Sequence, residues 1–138
     1  MDPRTNNIGA YIKGASTVSP QASAAGAVNG SWIDRLNYQS CMLIVQSGAV
    51  TGTPTTQTLD SKLQSADDNS GTNAADITGA AITQITTVNG FGTVSVDLLG
   101  ARRWIRAVNT PGFTGGTSPT LQHAAQIVLG GGQVLPPA

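Results

Sequence analysis

The chain has 138 residues, seven basic and seven acidic side chains and no formal net charge; only 10% of its residues are charged, none is glutamate, and 39% are hydrophobic. Its length is that of one domain. A neutral balance excludes charge-driven binding to nucleic acid or an anionic membrane, and the apolar content excludes the charge-rich disordered class. A surface of Gly, Ala, Ser, Thr, Asn and Gln has little charge repulsion to keep other proteins away, as suits a protein packed against a partner.

Residues 1–30 read as an extended arm with one or two short strands. The arm is polar apart from a patch at Ile8, Ala10, Tyr11 and Ile12, and Pro20, Gly26 and Gly30 oppose a helix over residues 22–27. So few large apolar side chains cannot form a core, so the arm must lie on something. The opening MDPRTNN lacks the basic-then-apolar order of an export signal, and no apolar window is long enough for a membrane-spanning helix. The single thiol, Cys41 in the run CMLIV, reads as a small core residue and allows no internal disulfide. Intracellular assembly is the expectation.

Residues 31–129 read as a β-sandwich domain. Trp32, Ile33, Leu36 and Tyr38 bracket Asp34-Arg35, and Ser40 to Val50 is the strongest strand, apolar on both faces as in a central strand covered from both sides or one crossing an edge. Gly52-Thr53-Pro54 turns the chain. Thr56 to Ser65 then alternates, with Leu59, Ser61, Leu63 and Ser65 on one face. Asp67 to Gly71 is a turn by composition, and residues 77–88 are weakly strand-like. The stretch from Phe91 to Val108 reads as two strands joined at a corner, Leu99-Gly100, with Val94, Val96 and Leu98 on one side of the first and Ile105 and Ala107 on one side of the second. A loop is expected over Asn109–Pro119. Thr120 to Leu129 suits a helix by composition, but its flanking Pro119 and glycines favour a last strand. Residues 130–138 read as a flexible tail with one apolar tooth, Val134-Leu135. Seven or eight short strands with Gly/Pro turns give an all-β, antiparallel sandwich or barrel.

No constellation in the sequence carries catalysis, a cofactor or a metal. The run Asp67-Asp68-Asn69-Ser70-Gly71 resembles half of a calcium loop but lacks the bidentate glutamate. His123 has no nucleophile elbow and no second histidine. The glycines at 90–92 and 130–132 lead into no phosphate-binding helix. Arg102, Arg103 and Arg106 beside Trp104 are read as cross-strand partners of aspartates, or as a charged contact on a partner protein, in preference to a nucleic-acid surface.

Asp34-Arg35 with Tyr38, Leu63-Gln64-Ser65 running into Asp67–Gly71, the segment Leu99–Arg106, and the Gly/Thr-rich loop after it together resemble the capsid cement (decoration) proteins of tailed bacteriophages, among them that of a short-tailed Bordetella phage. The likeness covers about residues 31–128. It implies a jelly-roll sandwich that sits as a homodimer on the outer surface of an icosahedral virion and clamps neighbouring major capsid proteins. It also implies synthesis in the host cytoplasm, no enzyme activity, and neither nucleic acid nor membrane as partner. On that reading the apolar teeth Ile8, Tyr11, Ile12, Val134 and Leu135 are candidate capsid or dimer contacts, as are Arg102 and Arg106. The alternatives are a tail or baseplate component and a carbohydrate-binding sandwich.

Overall fold

The computed structural model describes residues 7–132. A single 3-10 turn, Ile8–Ala10, precedes nine strands: β1 (Lys13–Ser23), β2 (Val28–Asn29), β3 (Ile33–Asp34), β4 (Tyr38–Thr51), β5 (Thr56–Ala66), β6 (Ala75–Ala81), β7 (Phe91–Asp97), β8 (Trp104–Thr114) and β9 (Thr120–Gly132). They form two antiparallel sheets packed face to face, ordered β1-β9-β4-β7 and β2-β8-β5-β6, with β3 also paired to β8. Most connections carry the chain from one sheet to the other, an order consistent with a jelly roll. Among the described residues no helix is long and apolar enough to cross a membrane.

Period-two alternation places the core between the sheets. Cys41, Leu43 and Val45 of β4, Leu59 and Leu63 of β5, Ile105 and Ala107 of β8, and Leu121, Ala125, Ile127 and Leu129 of β9 all point inward. Each large aliphatic side chain buried this way contributes roughly 1.5–3 kcal/mol. On β5 the inward set is Leu59, Ser61, Leu63 and Ser65, as its alternation dictates. Around Cys41 the same burial pushes the thiol up to about 11, so at neutral pH it is a protonated core residue.

Three expectations are corrected. The Asn109–Pro119 loop is strand as far as Thr114, paired with β5 from Thr56↔Thr114 onward. Pro111 is tolerated because its carbonyl accepts from Gly26 N on the far side from β5, so the position that lacks an N–H also faces away from the β5 ladder. β4 is central in its sheet but covered on one face only: Met42 is 39% exposed, and Ile44 is half-buried on the outer side. β1 is an eleven-residue strand rather than a short one. It hydrogen-bonds along β9, and Val18 reaches the core. Register shifts between Ser16, Val18 and Gln21 break its alternation and hide it from a periodicity reading. The Thr17 hydroxyl stitches it to the second sheet, accepting from Ala107 N at 3.1 Å and donating to Ser31 O at 3.0 Å.

Candidate interaction surfaces

The corner between β7 and β8 gathers three of the four segments that carry the cement-protein resemblance; the Gly/Thr-rich loop lies beyond the far end of β8, where Thr117 N donates to Gly52 O. Arg103 donates from Nε and Nη2 to the two carboxylate oxygens of Asp34, at 3.0 and 2.7 Å. That bidentate bond holds the Asp34 carboxyl below its ordinary value against the opposing effect of burial. Arg35 donates to three carbonyls: Arg102 O at 2.9 Å, Tyr38 O at 3.3 Å, and Ala101 O. Arg102 pairs with Asp67 at 3.0 Å and donates to Asn73 O at 2.8 Å. Arg106 lies over the Trp32 ring, 4.3 Å from its centroid, while its Nε and Nη2 donate to Gln64 Oε1.

Gly71 closes the Asp67–Gly71 turn with φ +85°, and a β-carbon there would come within 3.3 Å of the Trp32 ring. The Asp68 carboxylate is committed inside that turn, accepting from Ser70 N, Thr72 N and Thr72 Oγ. These bonds lower its pKa, the Thr72 hydroxyl most of all. The four arginines of the corner, Arg35, Arg102, Arg103 and Arg106, are thus engaged by partners within the chain. Arg102 and Arg103 meet aspartates as expected; Arg106 meets an indole and an amide instead.

The outer faces of the two sheets differ in charge. On the second sheet Asp60 and Asp76 lie out in the solvent and Lys62 and Arg106 are half-buried beside them, with Lys62 paired to Asp76 at 2.8 Å. On the first sheet the outward rows Ser95–Met42–Val128, Thr93–Ile44–Gln126 and Phe91–Gln46–Ala124 are uncharged, and the next row, Asp97–Ser40–Gly130, carries a single acid. Lys13 and Asp97 mark its margins. Ile8 (67% exposed) and Ile12 border a mostly apolar groove of about 660 Å³ on this face, together with Met42, Val96 and Val128, with Asp97 as its one charged residue. Tyr11, beside them in sequence, is half-buried. The structure therefore sets Ile8 and Ile12 on this face and Arg102 and Arg106 at the corner, while Val134 and Leu135 lie outside the described residues.

A buried polar chain crosses the interior. Ser61 Oγ donates to Asn109 Oδ1 at 2.6 Å, Asn109 Nδ2 donates to His123 Nδ1 at 3.1 Å, and His123 Nε2–H donates to Ser23 Oγ at 2.9 Å. This bonding pattern assigns the Nε2–H tautomer. His123, 3% exposed, is more than a polar residue on the last strand: it ties β9 to β1 and, through Asn109, to β8 and β5. No sequence signal marked Asn109, because the flanking proline and glycines place it in a loop.

Burial lowers the His123 pKa below its ordinary 6.5. Between that lowered value and 6.5 the unfolded chain binds more protons than the folded one. The stability contribution is complete above pH 6.5 and declines as the pH falls below it. Urea midpoints of the wild type are expected to drop from pH 7 toward pH 5, and His123→Gln to flatten that window. An unchanged slope in the variant would assign the acid sensitivity elsewhere. Asp34, Asp68 and Asp76, whose pKa values are lowered from 3.8, act in a separate window: their contributions fade as the pH falls below about that value.

No family model matches the chain, and no curated protein matches it in sequence. Solved structures to which the chain shows similarity include the SPBc2 prophage-derived protein YomS, at 10% identity and a TM-score of 0.40, over 86% of this chain and 93% of that one. Another is a structure described under Bacillus endospore appendages forming disulfide-linked pili, at 14% identity and a TM-score of 0.40, over 87% and 88%. A third is from infectious bursal disease virus, Gx strain, at 10% identity and a TM-score of 0.46; the match spans 91% of this chain but 33% of the viral one.

Proposed function

We propose that the chain is a structural protein of a tailed-bacteriophage virion. On this reading it is a cement protein made in the host cytoplasm, which binds the outer surface of the icosahedral capsid as a homodimer and reinforces contacts between neighbouring major capsid proteins. The observation that carries the reading is the contrast between the two outer faces. The first sheet presents uncharged rows with exposed Met42 and Phe91, and a mostly apolar groove under Ile8 and Ile12. Covering such a face removes apolar surface from water and, Asp97 at its margin apart, strips no ion of hydration. The gathering of Asp34, Arg35, Asp67 and Arg102–Arg106 at one corner supports it further, since three of the four segments behind the cement-protein resemblance meet there.

A protein that binds only the assembled shell stabilises it by mass action, by about 2.7 kcal/mol per site at a hundredfold excess over Kd. The test is cosedimentation with shells of the major capsid protein, followed by heating. Saturable binding in a fixed ratio and survival of the shells to higher temperature are expected. Met42→Lys with Ile44→Lys should weaken binding at least about tenfold, because each lysine must be desolvated at the contact. Absence of binding would overturn the reading and turn attention to a tail or baseplate role and to glycan screening.

A further inference from the structure

Among the described residues the sandwich has four sheet edges, and three of them are blunted. β1 carries two register shifts and Pro20, β6 a register shift and Gly79 at φ +77°, and β2 and β3 are two residues each. β7 has none of these devices: its pairing with β4 runs without a shift from Ser40↔Asp97 to Gln46↔Phe91. Leu98 N donates to Gln39 O, and Ser47 N donates to Gly90 O. The even-numbered residues therefore face β4, and Phe91, Thr93, Ser95 and Asp97 turn their N–H and C=O groups to the open edge. A straight, unguarded edge of this kind is a template for another strand.

Two separate grooves lie beside that edge, one at each end. At the Phe91 end is one of about 380 Å³ walled by residues 83–87, and at the Asp97 end one of about 440 Å³ walled by β6 and residues 100–102. These walls belong to the layer of the second sheet. A folded copy of this chain approaching edge to edge would bring its own walls into the same space, whereas a lone strand would not. Between Thr83 and Thr93 the lining is uncharged. At the other end Asp97 has no salt-bridge partner among the described residues, while Asp76 is held by Lys62.

We infer that the β7 edge accepts one extended segment of a neighbouring protein as a fifth strand of the first sheet, a segment uncharged along its length with a lysine or arginine at the Asp97 end. Main-chain bonds supply the affinity, and the terminal base sets the register. This goes beyond shell binding and stands apart from it, because the edge is tested without shells.

The probes are three capped eight-residue peptides: alternating threonine and valine with a terminal lysine, the same with a terminal aspartate, and a proline-interrupted control. The readout is amide hydrogen exchange at Thr93 and Ser95. The lysine peptide is expected to slow both amides at least about tenfold at saturation, and the proline control to leave them unchanged. Asp97→Lys should reverse the preference between the two charged peptides. Thr93→Pro removes an outward N–H and spares the β4 ladder, so binding should weaken at least about tenfold; Ser95→Pro, of the same parity, serves if that variant does not fold. No slowing by any peptide at millimolar concentration would overturn the inference. Protection of Thr93 and Ser95 that rises with protein concentration alone would also overturn it, since a second copy would then hold the edge.

Discussion

Replacing Asn109 with alanine is expected to lower stability by about 3–5 kcal/mol, a large share of the 5–15 kcal/mol typical of a domain. The side chain is fully buried and serves two partners, accepting from Ser61 and donating to His123. Alanine leaves the Ser61 hydroxyl and His123 Nδ1 without partners in a dry interior, at about 1–3 kcal/mol each, and adds a small cavity. The loss belongs to stranded polar groups, so removing those groups should recover much of it. The triple variant Ser61→Ala, Asn109→Leu, His123→Leu is expected to be more stable than Asn109→Ala alone. Urea unfolding of the two proteins checks this, and a triple variant weaker than the single one would place the cost in packing.

Arg35→Ala is expected to cost about 2–3 kcal/mol by urea unfolding, from three charge-assisted bonds discounted for partial exposure to water. One guanidinium holds the carbonyls of Tyr38, Ala101 and Arg102, so it fastens the start of β4 to the turn where the chain leaves β7 for β8. Arg35→Lys should recover less than half of the loss, because a single ammonium cannot span three carbonyls set for a planar fork. The amide of Ala101, which donates to Leu98 O inside this turn, is expected to exchange faster in both variants. Equal stability of Arg35→Lys and wild type would show that charge, not fork geometry, fixes the corner.

Strands whose side chains alternate cleanly were legible in the sequence. β5 shows the inward set its pattern dictates, and the corner at Leu99-Gly100 lies between β7 and β8. β9, with alanines and glutamines that suit a helix, is a strand because its glycine and proline neighbours leave too short a run. What stayed hidden has physical causes. β1 carries register shifts that scramble its period. The latter half of β8 keeps its strand despite Pro111 and Gly112, since Pro111 turns its missing N–H away from β5. The pairing Arg103–Asp34 follows from charge and strand logic, but the chain through Asn109 and His123 depends on which strands become neighbours across 48 and 100 positions of sequence. The segregation of charge onto one outer face was likewise invisible, because it appears only once sheet membership is known.

The first strand lies beside the last: Lys13 pairs with Leu129, and β9 separates β1 from β4. During synthesis, β1 and β4 leave the ribosome early, yet neither can complete its sheet until β9 follows. From the end of β4 at Thr51 to the end of β9 at Gly132, synthesis at 5–20 residues per second takes roughly 4–16 s, during which β4 offers an open apolar edge to its surroundings. Long-range closure of this kind also slows folding after release. Protein made quickly and in bulk would therefore spend its riskiest moments as a nascent chain, and its yield should depend more on chaperone supply than on the stability of the finished sandwich.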